Sequence, residues 1–321
     1  MSAPCTRDAR IFLVAEASKR WADANTIGCR VRSLSMKAPS PALPDHLLTL
    51  QSHDGARIAV SLFGGQLCSW QTSDGRERLF ISRNAHWDGL HPIRGGVPII
   101  FPQFGAAGPG PRHGIARTLM WTLANRSNDK DQPAQMQLQL ISSIASKKMS
   151  DGAVVMQTFT LQLTINFSGN ALHITLDIGN TSASTLTFCA ALHTYLKCNV
   201  EKSCIYGLQH NTYRDAVDND LLKNDAEKML QIEREVDRLY LNTSSDIELR
   251  DDTGIMTLSQ TGFPDTVVWN PWVDKTRSLT DCTPHDYLNF VCIESALAAV
   301  AQQLPPQQRW RGTQSLRVSD L

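Results

Sequence analysis

The sequence predicts an all-β protein, built as a single large antiparallel β-sandwich over about residues 45–321. Segments in which apolar and polar residues alternate recur along this stretch, whereas segments with helical periodicity are scarce. Strands do not alternate regularly with helices, as they would in a parallel α/β fold. A chain of 321 residues is long enough to bury a substantial core in such a sandwich.

The clearest strands form a predicted hairpin in the middle of the chain. Apolar residues alternate with polar ones over residues 154–167 and, after a turn at 168–170, alternate again over 172–178. Successive side chains of a strand point to opposite faces of its sheet, so this period of two indicates two half-buried strands. The same signature recurs around Ile58 and around Leu138. The charged segment 215–236 lacks it, and we interpret that segment as loop and short turns.

The first 44 residues differ in composition from the predicted domain. They contain seven basic and three acidic residues and end in a proline-rich stretch, 39–44, that is typical of a linker. We interpret residues 1–44 as an extension that is either disordered or a targeting segment for an organelle. A true start of translation at Met36 is a further alternative.

Charge and cysteine usage exclude several classes of protein. Lys plus Arg and Asp plus Glu number 31 each, whereas nucleic-acid and membrane surfaces usually require an excess of positive charge. No apolar run approaches the roughly 18 residues of a membrane span. The eight cysteines lack the close spacing of zinc or redox motifs, which favours free thiols in a reducing compartment. We therefore expect a soluble cytoplasmic protein with no metal site and no nucleic-acid or membrane partner.

The segment 94–117 has the composition of an anion-binding loop. It combines glycines and prolines with the side chains of Arg94, Arg112, His113 and Arg117. A guanidinium group offers a planar set of donors and keeps its charge, so converging arginines suit a phosphate or carboxylate. Glycines such as Gly95 and Gly114 would let the backbone approach a ligand closely. Scattered surface charges in a Pro/Gly loop are the alternative interpretation.

Three titratable residues in strand-like surroundings are candidates for acid and base chemistry. His193 lies in an apolar run, Glu294 follows four apolar residues, and Asp237 lies in a shorter apolar segment. Together they could transfer protons on a sugar, with aromatic rings of 269–272 stacking on its face. A backbone carbonyl bound to His193, a structural salt bridge to Glu294 and pairing of Asp237 with Arg238 are the alternatives.

Six motifs in a fixed order carry a resemblance to a known family. They are Arg-Gly-Gly-x-Pro-x-x-Phe-Pro-x-Phe-Gly at 94–105, His-Gly-x-Ala-Arg at 113–117, Leu-His-Thr-Tyr at 192–195, Asp-Arg-x-Tyr at 237–240, Val-Val-Trp-Asn-Pro-Trp at 267–272 and Glu-Ser-Ala at 294–296. By these motifs the chain resembles the hexose-6-phosphate mutarotases, the glucose-6-phosphate 1-epimerase branch of the aldose 1-epimerase superfamily. The likeness extends over nearly everything from residue 45 onward.

The resemblance implies a galactose mutarotase-like sandwich, in the form of a monomer, that interconverts the α and β anomers of hexose 6-phosphates without a metal or other cofactor. It implies His193 as general acid at the ring oxygen and Glu294 as general base at the anomeric hydroxyl. It further implies that the substrate is bound by Arg94, Arg112, His113, Arg117 and Asp237. The family commonly has glutamine where this chain has Arg112. A mutarotase for unphosphorylated sugars and a non-catalytic sugar-phosphate binding protein are the alternatives.

Overall fold

The all-β prediction is confirmed by a computed structural model that describes residues 43–44, 46–148 and 154–320. The predicted N-terminal extension, apart from residues 43 and 44, lies outside the described residues, as does a start at Met36. The domain boundary therefore stays a prediction. In the described part of the chain, no helix is long and apolar enough to cross a membrane.

Short antiparallel strands make up most of the described chain. In chain order they are β1 (Leu48–Gln51), β2 (Arg57–Ser61), β3 (Gln66–Gln71), β4 (Ile99–Ile100), β5 (Thr122–Ser127), β6 (Ala134–Lys148), β7 (Val154–Ser168), β8 (Ala171–Asn180), β9 (Leu186–Leu192), β10 (Tyr195–Lys197), β11 (Cys204–Tyr206), β12 (Thr212–Asp215), β13 (Leu221–Asn224), β14 (Met229–Leu230), β15 (Val236–Tyr240), β16 (Ile247–Asp251), β17 (Gly254–Thr261), β18 (Asp265–Asn270), β19 (Phe290–Leu304) and β20 (Arg309–Ser319). Helical segments are the α-helix α1 (Trp272–Ser278) and 3₁₀ turns at Ala116–Thr118, Val200–Lys202, Ala216–Asp218 and Asp286–Leu288.

The strands form two large sheets and one small one. The larger sheet has the order β14-β11-β16-β17-β20-β8-β7-β6-β5. The second has the order β13-β12-β15-β18-β19-β9-β4, and β10 also pairs with β19. Strands β1, β2 and β3 form the small sheet. Every pairing between these strands is antiparallel, as the alternating pattern predicted.

The predicted hairpin is confirmed, whereas the segment 215–236 is more ordered than we expected. Strands β7 and β8 pair from Ser168 with Ala171 out to Phe159 with Asn180. The segment 215–236 contains strands β13 and β14, which are short edge strands of the two large sheets. Its pattern failed to indicate them because an edge strand is exposed, and β13 accordingly has no buried residue.

The second sheet is buried on both faces at its centre. Along β19, Val291 and Ile293 belong to the main core between the two large sheets. Phe290 and Cys292 point the other way, into a smaller apolar cluster on the outer face. A strand covered on both faces needs apolar residues at nearly every position, which explains the continuous apolar run before Glu294. The carboxyl group of Glu294 lies on the outer face, because strand residues alternate.

Candidate functional site

His193 and Glu294 lie together on the outer face of the second sheet. Nδ1 of His193 is 3.3 Å from Oε1 of Glu294. Glu294 is in β19, as its apolar run predicted, but His193 lies between β9 and β10 and not within a strand. Backbone hydrogen bonds hold the two residues between β9 and β10 in place. His193 N–H donates to the carbonyl of Pro98, and Ile293 N–H donates to the carbonyl of Thr194.

Each of the two buried groups has a polar atom without a partner among the described residues. His193 is 8% exposed and Glu294 is 1% exposed. Nδ1 of His193 and Oε2 of Glu294 have no hydrogen-bond partner in the described part of the chain. In that part of the chain Glu294 forms no ion pair with a Lys or Arg, and its contact with Nδ1 of His193 is not a hydrogen bond, so a salt bridge with a Lys or Arg is not supported. Because an unsatisfied buried polar group is costly, two of them side by side indicate a site prepared for a ligand.

A row of paired residues places further side chains on the same face. Asp237 of β15 pairs with Trp269 of β18, Trp269 pairs with Cys292 of β19, and Cys292 pairs with Tyr195 of β10. Side chains of directly paired residues point to the same face of an antiparallel sheet. Glu294, two residues beyond Cys292, shares that face.

Aromatic rings enclose the imidazole of His193. Tyr195 stacks on it with ring centroids 4.9 Å apart and planes 10° apart. Trp269 and His113 approach it edge to face, at 5.9 Å and 5.7 Å. Of the aromatic residues predicted to stack on a sugar, Trp269 lies in the site, whereas Trp272 packs against Tyr287.

Burial shifts the pKa values of the central pair in opposite directions. Loss of solvation lowers the pKa of His193 well below its usual value, and nearby His113, Arg117 and Arg94 add to this effect. Loss of solvation raises the pKa of Glu294 well above its usual value, and the charge of Asp237 adds to it. Loss of solvation therefore favours the uncharged forms of both groups, the protonated carboxyl of Glu294 and the neutral imidazole of His193.

Arg94 is held by a carboxylate that sequence reasoning missed. Its Nη2 lies 3.0 Å from Oδ2 of Asp281, and its Nη1 donates to the hydroxyl of Tyr195 at 2.9 Å. Burial opposes the charge on Arg94, but Tyr195 and Asp281 outweigh that effect and raise its pKa. Arg94 is therefore a fixed cation behind the ring that stacks on His193.

Arg117 is a half-buried cation that forms no ion pair with a carboxylate among the described residues. Its Nη2 donates to the carbonyl of Arg112 at 2.8 Å, and its Nε is buried with no hydrogen-bond partner among those residues. Burial lowers the pKa of Arg117 to about 10, the charges of Arg94 and Arg112 contribute, and Tyr195 and Asp281 oppose this effect only in part. Burial and the same three arginines lower the pKa of His113 to about 3, so this imidazole is neutral. Several cations thus converge around Arg117, and the more distant charge of Asp281 offsets them only in part.

The carboxylate of Asp237 is available to a ligand, because its neighbour Arg238 does not pair with it. Arg238 points to the opposite face of β15, where it binds Asp225 and the hydroxyl of Tyr240. The predicted alternative of pairing between Asp237 and Arg238 is therefore wrong. Burial raises the pKa of Asp237, while Lys275 and Arg112 favour its charged form.

The glycines of the arginine loop serve a different purpose from the one that the sequence suggested. Gly95 has φ of 112°, and a Cβ there would lie 2.2 Å from the carbonyl oxygen of Phe80. Gly114 has φ of 72°, and its Cβ would lie 2.1 Å from the carbonyl oxygen of Phe101. They bring the loop against the protein's own backbone, and not a ligand against the loop.

The site therefore unites all seven candidate residues through contacts or mutual electrostatic effects: Arg94, Arg112, His113, Arg117, His193, Asp237 and Glu294. Sequence reasoning missed Tyr195, Asp281 and Cys292. An alternating pattern around Glu294 could have indicated Cys292, two residues before it. Asp281 carries no such signal, because 187 residues separate it from Arg94.

Comparison with known proteins places this chain in a family. The family model for aldose 1-epimerase matches residues 46–317. A protein of Cenchrus ciliaris named "Putative glucose-6-phosphate 1-epimerase" is 30% identical over 261 residues, which cover 79% of this chain and 78% of that protein. A protein of Escherichia coli strain K12 with the same name is 31% identical over 278 residues, 85% of this chain and 90% of that protein. A crystal structure titled "putative mutarotase", from Salmonella typhimurium, superposes with a TM-score of 0.74 at 25% identity and covers 86% and 90% of the two chains.

Proposed function

The chain belongs to the aldose 1-epimerase family, and we propose that it is an isomerase that interconverts the α and β anomers of hexose 6-phosphates, chiefly glucose 6-phosphate. The observation that supports a phosphorylated substrate is Arg117, a half-buried guanidinium that has no paired carboxylate among the described residues. It lies near His193 and Glu294, each of which has an unsatisfied buried atom. A phosphate dianion would supply the missing partner through charge-assisted hydrogen bonds. The names of the Cenchrus ciliaris and Escherichia coli proteins agree with this substrate.

His193 and Glu294 are the proposed proton-transfer groups. Ring opening requires a proton delivered to the ring oxygen, by His193, while Glu294 removes one from the anomeric hydroxyl. The C1–ring oxygen bond breaks, the resulting aldehyde turns its other face, and the two transfers run in reverse to close the ring. No covalent intermediate with the protein is needed.

The protonation favoured by burial matches one half of this cycle. After ring opening the proton resides on Glu294 and His193 is neutral, and loss of solvation favours these uncharged forms. Ring closure can therefore start from this distribution. Ring opening requires the opposite distribution, protonated His193 beside ionised Glu294. A bound phosphate dianion would favour protonated His193 by offsetting the arginine charges that lower its pKa.

The other candidate residues would bind and orient the sugar phosphate. We assign the phosphate to Arg117 and Arg112, with Arg94 contributing from behind Tyr195. Asp237 would accept hydrogen bonds from sugar hydroxyls, and neutral His113 would contact the substrate beside His193. Holding the phosphate far from C1 orients the anomeric centre toward the proton-transfer pair.

The test is NMR magnetisation exchange between the α and β anomeric protons at equilibrium, with glucose 6-phosphate and with glucose. Accelerated exchange of the phosphate ester and little effect on glucose is the expected result. Equal acceleration of both sugars would indicate an epimerase for unphosphorylated sugars. Saturable binding without accelerated exchange would indicate a sugar-phosphate binding protein.

Two conservative variants test the proposed roles. Glu294→Gln keeps the size of the side chain, and His193→Asn replaces the imidazole with a smaller polar group. Both should fold normally, as circular dichroism would show, yet each should lose about 10²- to 10⁴-fold in exchange rate. Undiminished exchange in either variant would remove that residue from the mechanism.

A further inference from the structure

Cys292 completes a cluster of three metal-ligating side chains at the proposed proton-transfer pair. A ring nitrogen of His193, Sγ of Cys292 and a carboxylate oxygen of Glu294 lie within 4.8 Å of one another. Cys292 is fully buried, and it shares the outer face of β19 with Glu294. The mechanism proposed above makes no use of its thiol.

The unsatisfied atoms of the pair are a second and independent observation. Nδ1 of His193 and Oε2 of Glu294 are buried and lack hydrogen-bond partners among residues 43–44, 46–148 and 154–320. The side chain of His193 is nine-tenths buried and that of Glu294 almost completely buried. The unsatisfied atoms thus belong to the two side chains whose ligand atoms lie close to the sulfur of Cys292.

The ligand types select the kind of ion. Zinc is bound by thiolate sulfur at about 2.3 Å and by imidazole nitrogen and carboxylate oxygen at about 2.0–2.2 Å, usually with four ligands. In a tetrahedral site the ligand atoms are therefore roughly 3.5 Å apart, so separations of up to 4.8 Å would have to contract by at most about 1.3 Å. Magnesium and calcium prefer sets of six or more oxygens, which three ligands of mixed type do not offer.

Charge balance also fits a divalent ion. As the metal–sulfur and metal–oxygen bonds form, the thiol of Cys292 and the carboxyl group of Glu294 each release a proton to solvent, so that Glu294 binds as a carboxylate. A 2+ ion with one thiolate and one carboxylate carries no net charge, so its burial is tolerable. The positive charges of Arg112 and Arg117 oppose entry of the ion, whereas the charge of Asp237 favours it. A water molecule or a substrate oxygen would complete the coordination.

We propose that His193, Cys292 and Glu294 form an inhibitory site for thiophilic divalent cations such as Zn²⁺ and Cd²⁺. An ion there occupies both proton-transfer groups at once, so the metal-bound protein is inactive and a chelator restores activity. The inhibitory effect rests on the proposed function, whereas the binding of the ion does not.

Direct binding is tested by titrating the chelator-treated full chain with Cd²⁺ and recording the ultraviolet charge-transfer absorption of the cadmium–thiolate bond. Cys292→Ala removes the proposed ligand, and Cys198→Ala is a matched control because Cys198 is also buried but lies in the main core. We expect a one-equivalent absorption in the parent protein and in Cys198→Ala. In Cys292→Ala it should be absent, and the affinity for Cd²⁺ should fall roughly 10- to 100-fold or more. Cys292→Ser serves if the alanine variant fails to fold.

The inhibitory effect is tested by anomer exchange of glucose 6-phosphate with and without Zn²⁺, each variant being compared with itself. We expect strong inhibition of the parent protein and of Cys198→Ala, reversed by a chelator, and little inhibition of Cys292→Ala. The same absorption in Cys292→Ala as in the parent protein, or equal inhibition of both, would overturn the proposal. Absence of exchange in the metal-free parent protein would refute the proposed function, while the Cd²⁺ titration would still decide the metal site.

Discussion

Replacing Arg117 with glutamine should stabilise the protein without ligand and weaken its binding of phosphate esters. Arg117 is a half-buried cation that faces other arginines and has no carboxylate partner among the described residues. The charge is therefore costly to the folded protein until an anion binds. Arg117→Gln removes that charge and keeps a polar side chain.

The magnitude follows from the pKa of the guanidinium. Its lowering to about 10 corresponds to roughly 3 kcal/mol of unfavourable interaction with the charged form. The variant also loses the hydrogen bond to the carbonyl of Arg112, which contributes about 1 kcal/mol. A net gain of about 2 kcal/mol is expected, and it should raise the melting temperature by roughly 4–8 °C. Loss of a charge-assisted hydrogen bond should weaken phosphate-ester binding about 10- to 100-fold.

The assay is thermal unfolding followed by circular dichroism, with and without glucose 6-phosphate, beside calorimetric titration. Arg311→Gln is the matched control, because Arg311 forms an exposed ion pair with Asp177 on the larger sheet and should change stability by less than about 1 kcal/mol. A lower melting temperature of free Arg117→Gln, together with unchanged affinity for glucose 6-phosphate, would refute the reasoning.

Three further outcomes test the surroundings of the central pair. Tyr195→Phe keeps the ring stacked on His193 but removes the hydroxyl that accepts from Arg94, so KM for glucose 6-phosphate should rise about tenfold with kcat little changed. A fall in kcat alone would contradict this. Asp281→Asn frees the charge of Arg94, so calorimetry should show inorganic phosphate binding about tenfold more tightly, and weaker binding would show that Asp281 is needed to orient Arg94. Because burial lowers the pKa of His193, a proton should add to its neutral imidazole only below pH 6.5. As the pH falls, kcat/KM, corrected for ionisation of the phosphate, should therefore stay level down to pH 6.5. A decline that begins above pH 6.5 would contradict the burial argument.

The strand pattern was predictable where strands are half-buried or have two covered faces. The alternation in β7 and β8 and the apolar run before Glu294 follow directly from side-chain period and burial. The edge strands β13 and β14 were not, because β13 has no buried residue and β14, with two residues, is too short to show a period. The sequence suggested a strand at His193 because the residue lies in an apolar run. Such a run does not reveal the two-residue interruption between β9 and β10.

The sequence indicated which residues belong to the candidate site but not which of them pair with one another. Residue type and motif order indicated His193, Glu294 and the arginines. Which arginine is paired with a carboxylate depends on a residue distant in sequence. Asp281 pairs with Arg94, whereas Arg117 forms no ion pair with a carboxylate in the described part of the chain. Only the folded chain distinguishes the two guanidinium groups, and that distinction supports the proposed phosphate site.

Glu294 and the two arginines lie in different kinds of element, and this difference determines which of them can be substituted without loss of stability. Glu294 is part of a strand whose alternate side chains are locked into the main core, whereas Arg112 and Arg117 belong to a loop and a single 3₁₀ turn. Substitutions at the strand would disturb packing throughout the sandwich, whereas the side chains of exposed Arg112 and half-buried Arg117 can be exchanged at small cost in stability. The preference for one anionic sugar over another can therefore diverge between descendants of one ancestor while the proton-transfer chemistry stays the same.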